Sequence, residues 1–194
     1  MTPDTLANAL QRRVDNAQVL VALAPGIAAA ADIVSEALQH GNQVLLFGNG
    51  GSAADAQHIA AELVGRFVRE RRGFPAAALT TDSSILTAVA NDYGFEQIFA
   101  RQVAATGKPG DVAIGISTSG RSANVLAGVQ AALDAGMRTI GLSGNDGGAL
   151  ATLAELCIVV PQTETSLIQE CHSAIGHILC ELVDEVLAPS DGAT

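Results

Sequence analysis

Aromatic side chains are scarce: among 194 residues there is no tryptophan, one tyrosine and five phenylalanines, 3% in all. With 48% apolar residues, the interior must be built mostly of alanine, valine, leucine and isoleucine. Basic residues are few as well. Ten Lys and Arg against twenty Asp and Glu leave a formal net charge of −10, which argues against a nucleic-acid binder that relies on neutralising phosphates. An anionic ligand stays open, because a local cradle of N–H groups and hydroxyls can outweigh a distant net charge. Cysteine is limited to Cys157, Cys171 and Cys180, an odd set without close pairing. No disulfide framework is expected, and the three read as small buried hydrophobes. No basic-then-apolar signal opens the chain, and no apolar run reaches about 18 residues without interruption. The expectation is a soluble, cytoplasmic protein. Charged residues, at 15%, are so few that the apolar surplus points to surface buried between subunits.

Two nucleotide signatures are also missing. Gly48, Gly50 and Gly51 lack the third-glycine spacing of the dinucleotide fingerprint, and no acidic residue follows a second strand at the usual place. No Gly-Lys-Ser/Thr is present, so this is not a Walker loop either. No nucleotide cofactor is expected.

What is present is an alternation. Residues 5–40 carry a helical pattern, broken at Pro25-Gly26 into two expected helices, with Pro3-Asp4 suiting the entry and Gly41-Asn42 the stop. Short apolar runs at 44–47, 76–79, 112–116, 139–142 and 157–160 then read as strands, mostly continuous rather than alternating, as parallel strands covered on both faces should be. Helices are expected at 52–67, 84–90, 94–105, 122–135, 149–154 and 165–187. The alternation predicts an α/β fold, a doubly wound five-stranded parallel sheet flanked by helices. The two leading helices either cap the sheet or build a bundle with other subunits. The tail 189–194 reads as frayed.

Ligands in doubly wound sheets sit outside the carboxyl ends of the strands, so the residues just after each apolar run carry the chemistry. Gly48-Asn49-Gly50-Gly51-Ser52 permits a tight turn into a helix, whose unpaired N–H groups and dipole suit an anion. On that helix His58 and Glu62 stand four apart and share a face. After the third run, Ser117-Thr118-Ser119-Gly120-Arg121-Ser122 places four hydroxyls at a helix start, more than capping requires, and phosphate binding is the expectation. Arg121 either adds charge there or faces solvent. The final helix carries Gln169, Glu170, His172 and His177 among apolar neighbours, and polar groups buried there need partners. Two helices presenting His, Glu and Gln build either an acid/base pair or a metal site. Asn91-Asp92 reads either as an Asx turn or helix N-cap, or as contacts to a sugar's hydroxyls.

Taken together, these residues resemble the sugar isomerase (SIS) domain family and, more narrowly, its phosphoheptose isomerase branch. The carriers are the Gly48–Ser52 turn, the stretch 56–66, Asn91-Asp92 with Tyr93-Gly94-Phe95, the stretch 115–120 with Ser122, and Ile168-Gln169-Glu170 with His177. The likeness covers nearly the whole chain, read as one domain over 1–194 with a helical pair at 1–41 and an α/β core at 42–188. It implies interconversion of sedoheptulose 7-phosphate and D-glycero-D-manno-heptose 7-phosphate through an enediol, as the first step toward activated heptose for lipopolysaccharide core or another glycan. It implies a homotetramer with sites formed between subunits. It further implies that Ser52, Ser117, Thr118, Ser119 and Ser122 hold the substrate, mainly its phosphate. Asn49, Gly50, Gly51, Asn91 and Asp92 would line the sugar. Glu62 would act as base and His177 as acid/base partner. A zinc ion per subunit would sit on His58, Glu62, Gln169 and His177, with Glu62 and Gln169 also meeting substrate.

Arg121 and Ser166 depart from the residues expected at those positions, which bears on substrate fit rather than on the reaction. Rival readings within the same fold are a non-catalytic sugar-phosphate sensor, an adaptor for a replication initiator, and a pentose or hexose phosphate isomerase. The joint presence of Glu62 and His177 favours an enzyme over an adaptor. A zinc hydrolase is weaker, because the ligand set leaves no dedicated base to activate a nucleophile.

Overall fold

A computed structural model describes residues 3–188, and the tail 189–194 lies outside the described residues. Five strands, β1 (Val44–Gly48), β2 (Ala76–Ala78), β3 (Val112–Ser117), β4 (Arg138–Gly144) and β5 (Leu156–Val160), form one sheet in the order β2-β1-β3-β4-β5. Every pairing is parallel. Along β1, Val44 and Leu46 enter one core while Leu45 and Phe47 enter the other. β3 does the same with Val112, Ile114 and Ile116 opposed to Ala113. Both sheet faces are covered, which is why these strands read as unbroken apolar runs.

One face is covered by α1 (Pro3–Gln39), α2 (Gly51–Val64) and α7 (Thr165–Leu187). The other is covered by α3 (Ser83–Tyr93), α4 (Ala100–Thr106), α5 (Ala123–Asp134) and the short α6 (Leu150–Leu153). With so few aromatics, Phe47 and Phe99 stack at 5.2 Å between centroids inside the second core, adding slightly to what their burial contributes.

The expected pair of leading helices is a single helix. α1 runs through Pro25 without a break. A proline inside a helix leaves the carbonyl four residues earlier unbonded. Here that carbonyl belongs to Val21, which is 79% exposed, so water can take its place. On both sides of Pro25 the same helix continues toward its packing partners. Asn16 donates to the Leu167 carbonyl at 2.9 Å, and Ile27, Ala30, Val34 and Leu38 enter the core. Over Asp4–Gln39, α1 is long and apolar enough to cross a membrane by length and composition. Its carboxyl half is nonetheless a core helix.

The helix expected at 94–105 is divided. Gly94 adopts a φ of 93° and ends α3. A 3-10 turn, Phe95–Gln97, follows before α4 starts at Ala100. Asn91 and Asp92 accordingly sit in the last turn of α3. They are not a helix N-cap, a role that Asp82 takes by accepting from the Ile85 amide at 2.9 Å.

Candidate active site

From β1 the chain turns one way to β2 and later returns to β3 on the opposite side, so the carboxyl ends of β1 and β3 flank the point where winding reverses. A crevice opens at such a switch. Gly48 pairs in register with Ile116, which sets the turn after β1 beside the turn after β3. Between them lies a cleft of about 300 Å³, lined on one side by Asn49, Gly50, Gly51 and Ser52 and on the other by Ser117, Thr118 and Ser122, with Thr165 and Gln169 closing it. Three helices begin here: α2 at Gly51, α5 after Ser122 and α7 at Thr165. Their amino ends bring partial positive charge and N–H groups to one small volume. Ser117 and Ser122 face each other, Oγ to Oγ, at 2.9 Å.

The glycine turn is shaped by close contact. Gly50 takes a φ of 56°, and at Gly51 a Cβ would overlap the Gln169 amide. Asn49 is tied by a reciprocal amide pair to Asn124, 2.8 Å in each direction. Its side chain thus fixes the cleft's floor to the start of α5. Asn124 and Thr165 were not among the expected residues. Thr165 was detectable, being a hydroxyl at the helix start that follows β5. Asn124 gives no such sign, since an asparagine early in a helix reads only as local capping.

Further along α2 and α7 a second cluster forms. His58 Nε2 lies 3.1 Å from Glu62 Oε1 and 3.0 Å from His177 Nε2. Ligand atoms of the three residues fall within 4.8 Å of one another. The ring of Phe67 stacks on His177 at 5.5 Å. One proton on His58 Nε2 cannot fully serve both a carboxylate and a second imidazole. Two imidazoles and a carboxylate so placed are a fitting donor set for a divalent transition metal. From Ser52 to His58 and Glu62 the helix rises roughly 9 to 15 Å at 1.5 Å per residue, so cleft and cluster are successive stations on α2.

The SIS domain profile matches residues 8–144. The chain belongs to the SIS domain family. It is 63% identical to the phosphoheptose isomerase of Aquifex aeolicus over 157 residues, 81% of this chain and 82% of that one. It is 57% identical to the phosphoheptose isomerase of a Roseiflexus species over 164 residues, covering 84% and 83% respectively. The structure of phosphoheptose isomerase GmhA from Neisseria gonorrhoeae superposes with a TM-score of 0.89 at 41% identity, over 94% of this chain and 98% of that one. Like these relatives, the SIS chain is an isomerase.

Not every expected site residue of this SIS domain meets the cleft within one chain. Ser119 is exposed, and its Oγ accepts from the Arg121 amide at 3.2 Å. Asn91 and Asp92 are exposed and bonded to each other at 2.7 Å. Arg121 neither reaches the cleft nor stands free. It forms a two-pronged exposed pair with Asp146, at 3.0 and 2.7 Å. These bonds hold the Asp146 carboxyl down at about 2. Ser166 donates to Glu164 at 2.8 Å at the entry of α7. His172 is fully buried and donates from Nε2 to the Ser143 carbonyl at 3.1 Å. Burial pushes its pKa below the ordinary imidazole value. It is a core histidine, apart from the cluster.

Proposed function

We propose that this SIS chain interconverts sedoheptulose 7-phosphate and D-glycero-D-manno-heptose 7-phosphate, as a cytoplasmic homotetramer at the entry to activated-heptose synthesis. The observation that carries the reading is the pairing of a hydroxyl-lined anion cleft with the His58–Glu62–His177 cluster on the same two helices. The relatives' shared designation as phosphoheptose isomerases supports the seven-carbon substrate. The exposed stripe Leu6, Leu10, Val14 and Val21 on α1 supports burial against other copies.

In this reading the phosphate rests among Ser52, Ser117, Thr118 and Ser122 at the amino ends of α2 and α5, with Ser119 outside the cleft. Binding the remote end orients the sugar. The chain of the sugar then runs over Gly50 and Gly51 along α2 toward the cluster. Glu62 Oε1 faces His58, while among the described residues Oε2 has no hydrogen-bond partner. That oxygen takes the proton from C1 of the ketose. An enediol forms as His177 protonates the oxygen on C2, and collapse toward the aldose returns the carbon-bound proton to C2 and the O1 proton to His177. Asn91 and Asp92, exposed on α3, would contact the sugar from a neighbouring copy. Zinc held by His58, Glu62 and His177 would add Lewis-acid polarisation of the carbonyl, whereas Gln169, expected as a fourth ligand, closes the cleft instead, roughly 12 Å before His177 along α7.

The test is proton-exchange NMR on a panel of five- to seven-carbon ketose phosphates. The expected result is exchange and aldose formation with sedoheptulose 7-phosphate, nearly abolished in Glu62→Gln with the assembly intact. Preference for a five- or six-carbon substrate would overturn the substrate. Inertness of the wild type toward all of them, with and without zinc, would replace the enzyme reading with the adaptor.

A further inference from the structure

Beyond the cluster, α2 ends in a loop that returns to α7 through one buried ion pair. The side chains of Arg71 and Asp184 are each only 1% exposed, and Arg71 Nε lies 2.5 Å from Asp184 Oδ1. Asp184 also accepts from the Val68 and Arg69 amides, at 3.1 and 3.2 Å. Apart from a bond from Nη1 to the Arg72 carbonyl at 3.2 Å, the rest of the guanidinium serves the end of α2. Nη2 donates to the carbonyl of Glu62 at 3.0 Å, and Nη1 donates to those of Leu63 and Gly65 at 3.0 and 3.1 Å. The last carbonyls of a helix have no partner within it. Here one arginine supplies partners for the turn that carries Glu62, stacked meanwhile over Phe74 at 4.1 Å from the ring centroid.

The other end of the pair is equally placed. Asp184 lies seven residues after His177, two turns on along the same stripe of α7. Arg71 therefore joins the backbone of Glu62 to the helix of His177. At the level of the cluster itself, α2 and α7 approach so closely that a Cβ on Gly176 would stand 2.7 Å from Ile59 Cδ1. Contact at Gly176 fixes the distance between the helices, while the clamp fixes the rotation and height of the Glu62 turn.

We propose that Arg71 and Asp184 are positioning residues for the proton transfer, holding the Glu62 carboxylate in register with His58 and His177. The inference rests on the isomerase reading above. A solely structural pair would act on stability alone. A buried pair can be exchanged for apolar residues of similar volume without loss of folding, whereas removing one partner leaves an uncompensated charge. Lysine cannot reproduce the guanidinium's fork over several carbonyls.

The experiment compares the full-length wild type with R71M/D184L, Arg71→Lys and Asp184→Asn, with Glu62→Gln run alongside. It reads melting temperature, kcat, KM and the imidazole NMR signals, which the four histidines keep few. Groups that orient site ligands typically change activity by roughly 10- to 100-fold. In R71M/D184L we expect a melting temperature near wild type and kcat at least tenfold lower. KM should stay within threefold, and the signals of His58 and His177 should move while those of His40 and His172 hold. Arg71→Lys should lose kcat similarly. Wild-type kcat with unmoved signals in R71M/D184L would overturn the proposal. Should that variant not fold, Asp184→Asn, which keeps the shape and loses the charge, is judged by the same readings. If Glu62→Gln retains full turnover, the base assignment falls by itself. The imidazole signals then decide for or against the clamp.

Discussion

His58 Nε2 and His177 Nε2 meet at 3.0 Å across the seam of α2 and α7, although 119 residues separate them in the chain. Neither helix alone holds a metal site or an acid/base pair. His58 and Glu62, taken by themselves, are an ordinary i,i+4 pair of the kind that decorates many helix surfaces. The facing imidazole converts them into a cluster of three donors.

Metal binding should depend on both helices. Zinc titrated into metal-free wild type is expected to bind one equivalent per chain, read by calorimetry. His58→Gln and His177→Gln should each lose that equivalent, while His40→Gln, in the exposed turn that follows α1, should keep it. Because ligating imidazoles must be neutral, uptake should weaken on acidification. Retained stoichiometric binding in His177→Gln would refute the two-helix site.

The hydroxyl turn should act on affinity rather than on chemistry. Ser117→Ala removes one donor and leaves the Ser122 hydroxyl without its 2.9 Å partner. A hydrogen bond to a charged group contributes about 1.5–3 kcal/mol, so KM should rise roughly 10- to 100-fold with kcat nearly unchanged. Thr165→Val should shift KM in the same direction. Inorganic phosphate as a competitive inhibitor provides an independent reading, weakened in both variants. A large loss in kcat at constant KM would place these hydroxyls elsewhere in the reaction.

His172 predicts the acid limb of stability. Its folded pKa lies below the ordinary value because burial disfavours the cation. As pH falls through the unfolded pKa near 6.5, the unfolded chain takes up a proton that the folded chain does not. Stability from this group is therefore complete above that pH and lost below it, with a slope of at most about 1.4 kcal/mol per pH unit. Urea unfolding of His172→Leu between pH 7 and 5 should show a shallower slope than wild type. Equal slopes would assign the acid sensitivity to other groups.

The layered fold was legible because its rules are local. Strands buried on both faces must be continuous apolar runs, and all five were found close to their limits. α7 spans Thr165–Leu187, as its pattern predicts. Pro25 misled for the same reason, since a local rule for breaking helices takes no account of an exposed carbonyl that water can satisfy. The Ser117–Ser122 turn was legible because strand ends dictate where ligands sit. The Arg71–Asp184 clamp was not, because a loop arginine and a helix aspartate 113 residues apart share no pattern that announces their pairing.

Composition and periodicity by themselves determined the α/β class, an aliphatic core and the chemical types gathered at the strand ends. Those properties follow from side-chain hydrophobicity and backbone geometry, which act over a few residues. Tertiary structure decided which polar residues meet. It set His177 on His58 and Glu62, turned Arg121 to Asp146, and bound Asn49 to Asn124. Such encounters depend on the distance and rotation between packed helices, here governed by contacts such as Gly176 on Ile59, and no single segment contains that information.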